Sequence, residues 1–150
     1  MGYECNSGWC VMGLDIWSSD DTKNFHIGYM GFNRMRSFFI LHYSKKLFED
    51  YNTILRATIK WDEKTDVIFD ELLEEIGDLS ILINHSDCDG ELSSDECKKL
   101  KSCLFVDDDK IKSVLSGNIE YADRIIKLMY EFIDMVEYCA KHENIELIFG

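Results

Sequence analysis

The sequence predicts an α+β fold, in which a helical majority of about five helices packs on a small antiparallel or mixed sheet. Three observations lead to this prediction. Apolar and polar residues alternate within the first thirty residues, apolar residues repeat at helical spacing from Phe32 to about His142, and alternation returns in Ile145–Phe149. We therefore expect the N-terminal strands and the C-terminal strand to share one sheet.

Length and composition indicate a single domain over residues 1–150. A chain of 150 residues with 46% hydrophobic content can bury a complete core. It contains no proline and no Gly/Ser-rich linker that would separate two domains.

Two N-terminal segments have strand character. Trp9–Ile16 is apolar and rich in residues that favour strands, and Ser18–Lys23 is a polar turn region. Phe25–Tyr29 then alternates with the period of a half-buried strand. The sequence predicts a hairpin or a neighbouring pair of strands here.

Five segments with helical spacing follow the strands. The first begins at Phe32 and continues through Leu47 on its apolar side, and the second covers Asp66 to about Ile83. Gly77 lies inside the second segment, where we expect it to break or bend the helix. The remaining segments are Ser94–Phe105, Asp107–Leu115 and Ile119 to about His142.

The net charge of -13 restricts the classes of partner. It argues against direct binding to a nucleic-acid backbone, which requires a basic surface. It favours either solubility alone or docking on a partner protein with a basic surface. Acidic residues concentrate between Asp62 and Asp78. The candidate partner-binding residues are Asp70, Glu71, Glu74 and Glu75.

Targeting signals are not found in the sequence. The apolar runs are shorter than a membrane span, and the N-terminal residues lack a basic region followed by an apolar one. The six cysteines form no CxxC pair and are most simply reduced thiols. We expect a cytoplasmic protein without a membrane anchor, and the sequence leaves homo-oligomerisation open.

The segment His85–Glu96 resembles the calcium loop of an EF-hand, with Gly90 at the sixth place. His85 stands at the first place, where an aspartate is usual. One interpretation is a site for calcium or another divalent cation. Its ligands would be Asp87, Asp89, the carbonyl of Glu91, Ser93 and Glu96.

The same acidic segment has an interpretation without metal. Asp87 and Asp89 are typical of side-chain turns, and Gly90 supplies a positive φ. Ser93 then caps the next helix, and Glu96 completes a capping box three residues later. The sequence does not decide between the two interpretations.

A glycine-rich segment, Gly28–Arg36, joins a strand to a helix and suggests an anion site at the helix N-terminus. Arg36 falls on the apolar side of its helix, so it needs a carboxylate or a bound anion. The first option is an ion pair with Asp15, Asp87 or Asp89. The second is a pocket for an anionic ligand, lined by His26, Tyr29, Asn33, Arg34, Arg36 and His85.

Three segments carry a resemblance to known sequences: Met12–Ile16, Gly28–Arg36 and Asn84–Cys97. They resemble a group of small uncharacterised proteins encoded by bacteriophages and bacteria. In that group the Asn-His-Ser-Asp-Cys-Asp-Gly-Glu string has His85 as a normal member, which suggests a role in anchoring Arg36. The resemblance implies a phage-like cytosolic setting and no specific activity.

Three functions follow as hypotheses. The first is a small acidic, non-catalytic binding protein, such as a phage counter-defence factor that binds and inhibits a host defence protein. The second is a sponge that sequesters a small anionic ligand of the nucleotide type at Gly28–Arg36. The third is a metal-dependent hydrolase that uses Asp87, Asp89 and Glu96. The sequence contains no nucleophile motif and no HExxH motif, which favours a binder over a catalyst.

Overall fold

The N-terminal strands and the C-terminal strand pair in one sheet, as predicted. The computed structural model describes residues 13–56, 61–86 and 89–150, so the first four residues of the predicted strand Trp9–Ile16 lie outside the described residues. The described strands form an antiparallel sheet in the order β2-β1-β4-β3. They are β1 (Leu14–Ser18), β2 (Asn24–Ile27), β3 (Glu91–Leu92) and β4 (Leu147–Phe149).

Alternation along the strands separates a buried face from an exposed one. Leu14 and Ile16 on β1 are fully buried, whereas Asp15 between them is exposed. Phe25 and Ile27 on β2 follow the same pattern. The sheet therefore covers the core with one face only, as expected for a small antiparallel sheet. The strand β3 was not predicted, because it lies inside the acidic segment.

The helices cover most of the chain and confirm the helical majority. In the described residues they are α1 (Tyr29–Leu41), α2 (Lys45–Arg56), α3 (Glu63–Ile76), the single turn α4 (Ser80–Ile83), α5 (Ser94–Lys101), α6 (Asp108–Val114) and α7 (Ile119–Lys141).

The prediction of one continuous helix from Phe32 through Leu47 was wrong. The helix ends at Leu41, the chain turns, and α2 begins at Lys45. The Ser44 hydroxyl accepts a hydrogen bond of 3.2 Å from the Leu47 amide, which caps the start of α2. The apolar spacing continues across the turn because both helices face the same core, so periodicity alone did not show the break.

The expected interruption at Gly77 is confirmed. The helix α3 ends at Ile76, Gly77 adopts a φ of +60°, and a 3-10 turn over Gly77–Leu79 leads into α4. A positive φ is available to glycine without the steric cost that a side chain would add.

The buried residues of the helices and the sheet form one hydrophobic cluster. The helix α7 lies along it: Phe132 packs against Phe25 of β2 and Phe39 of α1. Tyr138 of α7 also donates a hydrogen bond to the Asp20 carboxylate in the β1–β2 turn. This bond, with a second from Ser18, lowers the pKa of Asp20. In the described part of the chain, no helix is long and apolar enough to cross a membrane.

Candidate functional site

The residues of the predicted anionic pocket are distributed over three places. Arg36 and His85 meet at a buried junction between α1 and α4. Asn33 and Arg34 line a groove between α1 and α2. His26 lies on the exposed face of β2, and Tyr29 is the half-buried first residue of α1. The six residues therefore occupy three separate places in the structure.

Arg36 points into the protein, as predicted, and is only 4% exposed. Its Nη1 donates hydrogen bonds to the carbonyl oxygens of Leu82 (3.3 Å), Ile83 (3.1 Å) and His85 (2.8 Å). These carbonyls lie at and just after the end of α4, and that of Leu82 also accepts a hydrogen bond from the His85 amide at 3.2 Å. The guanidinium carbon also lies 4.2 Å from the centre of the Phe32 ring. Hydrogen bonds to these carbonyls and the cation–π contact with Phe32 thus stabilise the buried positive charge.

Two of the three carboxylates expected near Arg36, those of the described residues Asp15 and Asp89, form no ion pair with it. Asp15 pairs with His26 instead, with 2.8 Å between the carboxylate oxygen and Nδ1, on the exposed face of the sheet. Asp89 is exposed. Asp87, the third expected partner, lies outside the described residues.

His85 has a packing role that accounts for its place in the acidic segment. Its ring lies 4.2 Å from the ring of Phe149 on β4. Nδ1 is 2.8 Å from the Ser86 carbonyl oxygen, which can only accept, so the proton is on Nδ1. A Cβ atom on Gly90 would lie 3.2 Å from this ring, and Gly90 has a φ of +101°. The His85 ring therefore packs between Phe149 of β4 and the backbone of Gly90.

The end of the acidic segment forms the expected capping box. The Ser93 hydroxyl accepts a hydrogen bond from the Glu96 amide at 3.1 Å, and Oε1 of Glu96 accepts one from the Ser93 amide at 2.9 Å. Just before the box, Glu91 and Leu92 pair with β4. The capped-turn arrangement of Ser93 and Glu96 is thus present.

The metal interpretation of the acidic segment stays a prediction. Across residues 13–56, 61–86 and 89–150, no three His, Cys, Asp or Glu side chains are placed to hold a metal ion. Asp87, the predicted ligand at the third place of the loop, lies outside the described residues. The hydrolase hypothesis depends on that site and also stays a prediction.

The acidic helix α3 presents its predicted residues to solvent. Asp70, Glu71, Glu74 and Glu75 are all exposed. Lys46 of α2 shows which of them face α2. Its pKa is raised mainly by its hydrogen bond to Asp50, with smaller contributions from the charges of Glu75 and Glu71. Glu71 and Glu75 therefore lie toward α2.

Apolar side chains are exposed beside these carboxylates. Val67 is 56% exposed, and Ile68 and Trp61 are also exposed. At about 100° per residue, Val67 and Glu74 lie on the same side of α3, opposite the buried Leu72 and Ile76. We call Val67, Asp70 and Glu74 the outward face of α3, because Glu71 and Glu75 lie toward α2.

The groove between α1 and α2 contains residues that the sequence analysis missed. It has a volume of about 450 Å³. Its described lining is Met30, Asn33, Arg34, Asn52, Leu55 and Arg56. The available signal was a repeated spacing, because each helix contributes residues at positions i, i+3 and i+4. That spacing shows which residues share one face of a helix, but it does not show which other helix packs against that face.

Comparison of the chain with protein-family models, curated proteins and solved structures finds no match.

Proposed function

We propose that this chain is a non-catalytic binding protein that docks on a basic protein surface through the outward face of α3. The observation that carries the proposal is an exposed valine among carboxylates: Val67 is 56% exposed on this face. Asp70 and Glu74 follow it at i+3 and i+7, which places them on the same side of the helix.

The two kinds of side chain have different physical roles. Carboxylates on a protein of net charge -13 attract a basic partner over a distance and raise the rate of encounter. Exposed apolar atoms supply affinity once they are removed from water. Trp61 and Ile68 are also exposed on the flanks of α3, Trp61 against the Phe69 ring and Ile68 in the groove toward α2. A solvated acidic helix would not need these apolar residues, and their presence supports docking over solubility alone.

The small buried part of α3 also supports a role in binding. Of its fourteen residues, Leu72 and Ile76 are the buried ones, and Phe69 and Leu73 are partly buried. Most of the helix surface is therefore available to a partner without disturbing the core.

The proposed setting is the cytoplasm of a bacterial host, where the partner would be a defence protein that the chain inhibits. Support for this setting comes from the resemblance of Met12–Ile16, Gly28–Arg36 and Asn84–Cys97 to proteins of bacteriophages and bacteria. The acidic surface supports the same proposal because inhibitors of proteins with basic functional surfaces gain from charge complementarity.

A charge-matched pair of variants tests the proposal. The first variant, Asp70→Asn with Glu74→Gln, removes two charges from α3 that lie away from Lys46. The control, Asp123→Asn with Glu131→Gln, removes two exposed charges from α7. Each tagged protein is incubated with bacterial lysate at low and high salt, and captured proteins are identified by mass spectrometry.

We expect the wild type and the α7 control to retain the same basic protein at low salt, and the α3 variant to lose it. A Val67→Asp variant should lose it as well, because a buried charge would replace the apolar centre of the interface. Equal capture by the α3 variant and the control would contradict the proposal, and so would the failure of the wild type to retain any protein. Circular dichroism verifies that each variant is folded.

A further inference from the structure

The groove between α1 and α2 is built from two antiparallel helix ends. The chain turns between Leu41 and Lys45, so the first turns of α1 lie against the last turns of α2. Each helix contributes one apolar residue, one asparagine and one arginine to the lining. From α1 these are Met30, Asn33 and Arg34, and from α2 they are Leu55, Asn52 and Arg56.

The charge of this groove is opposite to that of the whole chain. Its described lining has two guanidinium groups and no carboxylate, in a protein of net charge -13. Within residues 13–56, 61–86 and 89–150, neither Arg34 nor Arg56 forms an ion pair. Among the described residues, therefore, no carboxylate pairs with either positive charge, although acidic residues are abundant.

Neutral groups hold both arginine side chains in place. The Arg34 guanidinium carbon lies 5.9 Å from the centre of the Tyr121 ring on α7. Nη2 of Arg56 donates a hydrogen bond of 3.4 Å to the Thr53 hydroxyl. These contacts leave other N–H donors of each guanidinium for a ligand, since an arginine has five.

The remaining lining suits a flat, partly polar group. Met30 is 85% exposed, and its flexible thioether chain offers an adaptable apolar surface. Leu55 provides a second apolar surface and packs against the core from its other side. The amides of Asn33 and Asn52 each supply donors and an acceptor, as needed to bind the edge of a heterocyclic ring.

We propose that this groove binds a mononucleotide. Its phosphate would lie between Arg34 and Arg56, whose planar guanidinium groups match phosphate oxygens in pairs. Its base would lie against Met30 and Leu55, with an edge toward the asparagine amides. The volume of about 450 Å³ falls in the range of small-molecule sites. A nucleic-acid polymer does not fit the same observations, because a net charge of -13 repels an extended polyanion.

This site differs from the pocket that the sequence predicted. It shares Asn33 and Arg34 with that pocket and omits His26, Tyr29, the buried Arg36 and the half-buried His85. It adds Met30, Asn52, Leu55 and Arg56. It also lies apart from the outward face of α3, so it does not depend on the proposed docking function.

Calorimetric titration with a defined panel of probes tests the proposal. The panel contains AMP, GMP, CMP and UMP, with adenosine and inorganic phosphate as partial ligands. We expect saturable binding of at least one nucleotide at one site per chain, and much weaker binding of adenosine and of phosphate alone. Arg34→Gln and Arg56→Gln should each weaken the binding about tenfold or more, because each removes charge-assisted hydrogen bonds.

The matched control is Lys112→Gln, which removes one exposed positive charge from α6, outside the groove. Its affinity for the nucleotide should equal that of the wild type. Arg34→Lys keeps the charge but loses the planar pair of donors, so an intermediate affinity is expected. Melting temperatures verify that the variants fold.

Three outcomes would overturn the proposal. One is the lack of saturable binding by any nucleotide of the panel. Another is binding of inorganic phosphate as tight as that of the nucleotides, since this would show that the base is not recognised. The third is an equal loss of affinity in Lys112→Gln, which would indicate a general effect of charge.

Discussion

Arg34 and Arg36 lie two residues apart on α1 and have opposite roles. Arg36 is 4% exposed and donates to three carbonyls at the end of α4. Arg34 lines an open groove and contacts the Tyr121 ring, without an ion pair in the described part of the chain. Two residues correspond to about 200° around a helix, so the two side chains point to opposite sides. The same type of side chain therefore stabilises packing on one side of α1, as Arg36, and is available for binding on the other side, as Arg34.

The physical difference is the cost of removing the charge from water. A guanidinium as buried as that of Arg36 loses its hydration and must recover the free energy from fixed dipoles. The carbonyls of Leu82, Ile83 and His85 supply such dipoles, and they in turn need a donor. Arg34 is half-buried and so partly hydrated, and it has no ion-pair partner among the described residues. Removing Arg36 should affect stability, whereas removing Arg34 should affect binding.

The largest expected effect is that of Arg36→Met. This change removes the guanidinium donor from the carbonyls of Leu82, Ile83 and His85, of which that of Leu82 keeps the His85 amide, and we expect the free energy of unfolding to fall by about 3 kcal/mol. Arg34→Gln serves as the control, and it should change this free energy by less than about 0.5 kcal/mol because its side chain has no buried partner to leave unpaired. Urea unfolding followed by circular dichroism measures both. Similar losses in the two variants would remove the distinction between the arginines.

A smaller effect is expected for Gly90→Ala, on the acidic segment beside the same junction. The new Cβ atom would lie 3.2 Å from the His85 ring, at a φ of +101° that alanine rarely adopts. We expect a destabilisation of about 1–2 kcal/mol. Gly117→Ala is the matched control, because a Cβ atom there has no neighbour within 4 Å. Melting temperatures that agree between the two variants would show that the His85–Gly90 contact has no energetic weight.

The smallest stability effect concerns the capping box, and it also tests the metal interpretation. Ser93→Ala should cost about 1 kcal/mol by removing the acceptor for the Glu96 amide. Glu96→Gln should cost less, since glutamine also completes a capping box. A bound calcium ion would instead need the carboxylate of Glu96. Melting temperatures with and without calcium chloride distinguish the capping-box interpretation from the metal interpretation. A calcium-dependent rise in the wild type that disappears in Glu96→Gln would support the metal site and reduce the capping box to a secondary role.

Several features could be predicted because they depend on residues close in sequence. The Gly77 interruption and the Ser93–Glu96 capping box follow from local backbone chemistry. The inward direction of Arg36 follows from its spacing relative to Phe32 and Phe39. The turn between α1 and α2 was missed because the apolar spacing of the two helices continues through it.

The sequence by itself determined the α+β class, the pairing of terminal strands in one sheet, and the inward direction of Arg36. Only the tertiary structure decided which groups contact each arginine. The carbonyls that receive Arg36 are 46 to 49 residues away in the chain, and the groove of Arg34 requires α2 to fold back on α1. The physical reason is that periodicity reports which side of an element is apolar. The identity of the group that meets that side depends on the packing of the whole chain.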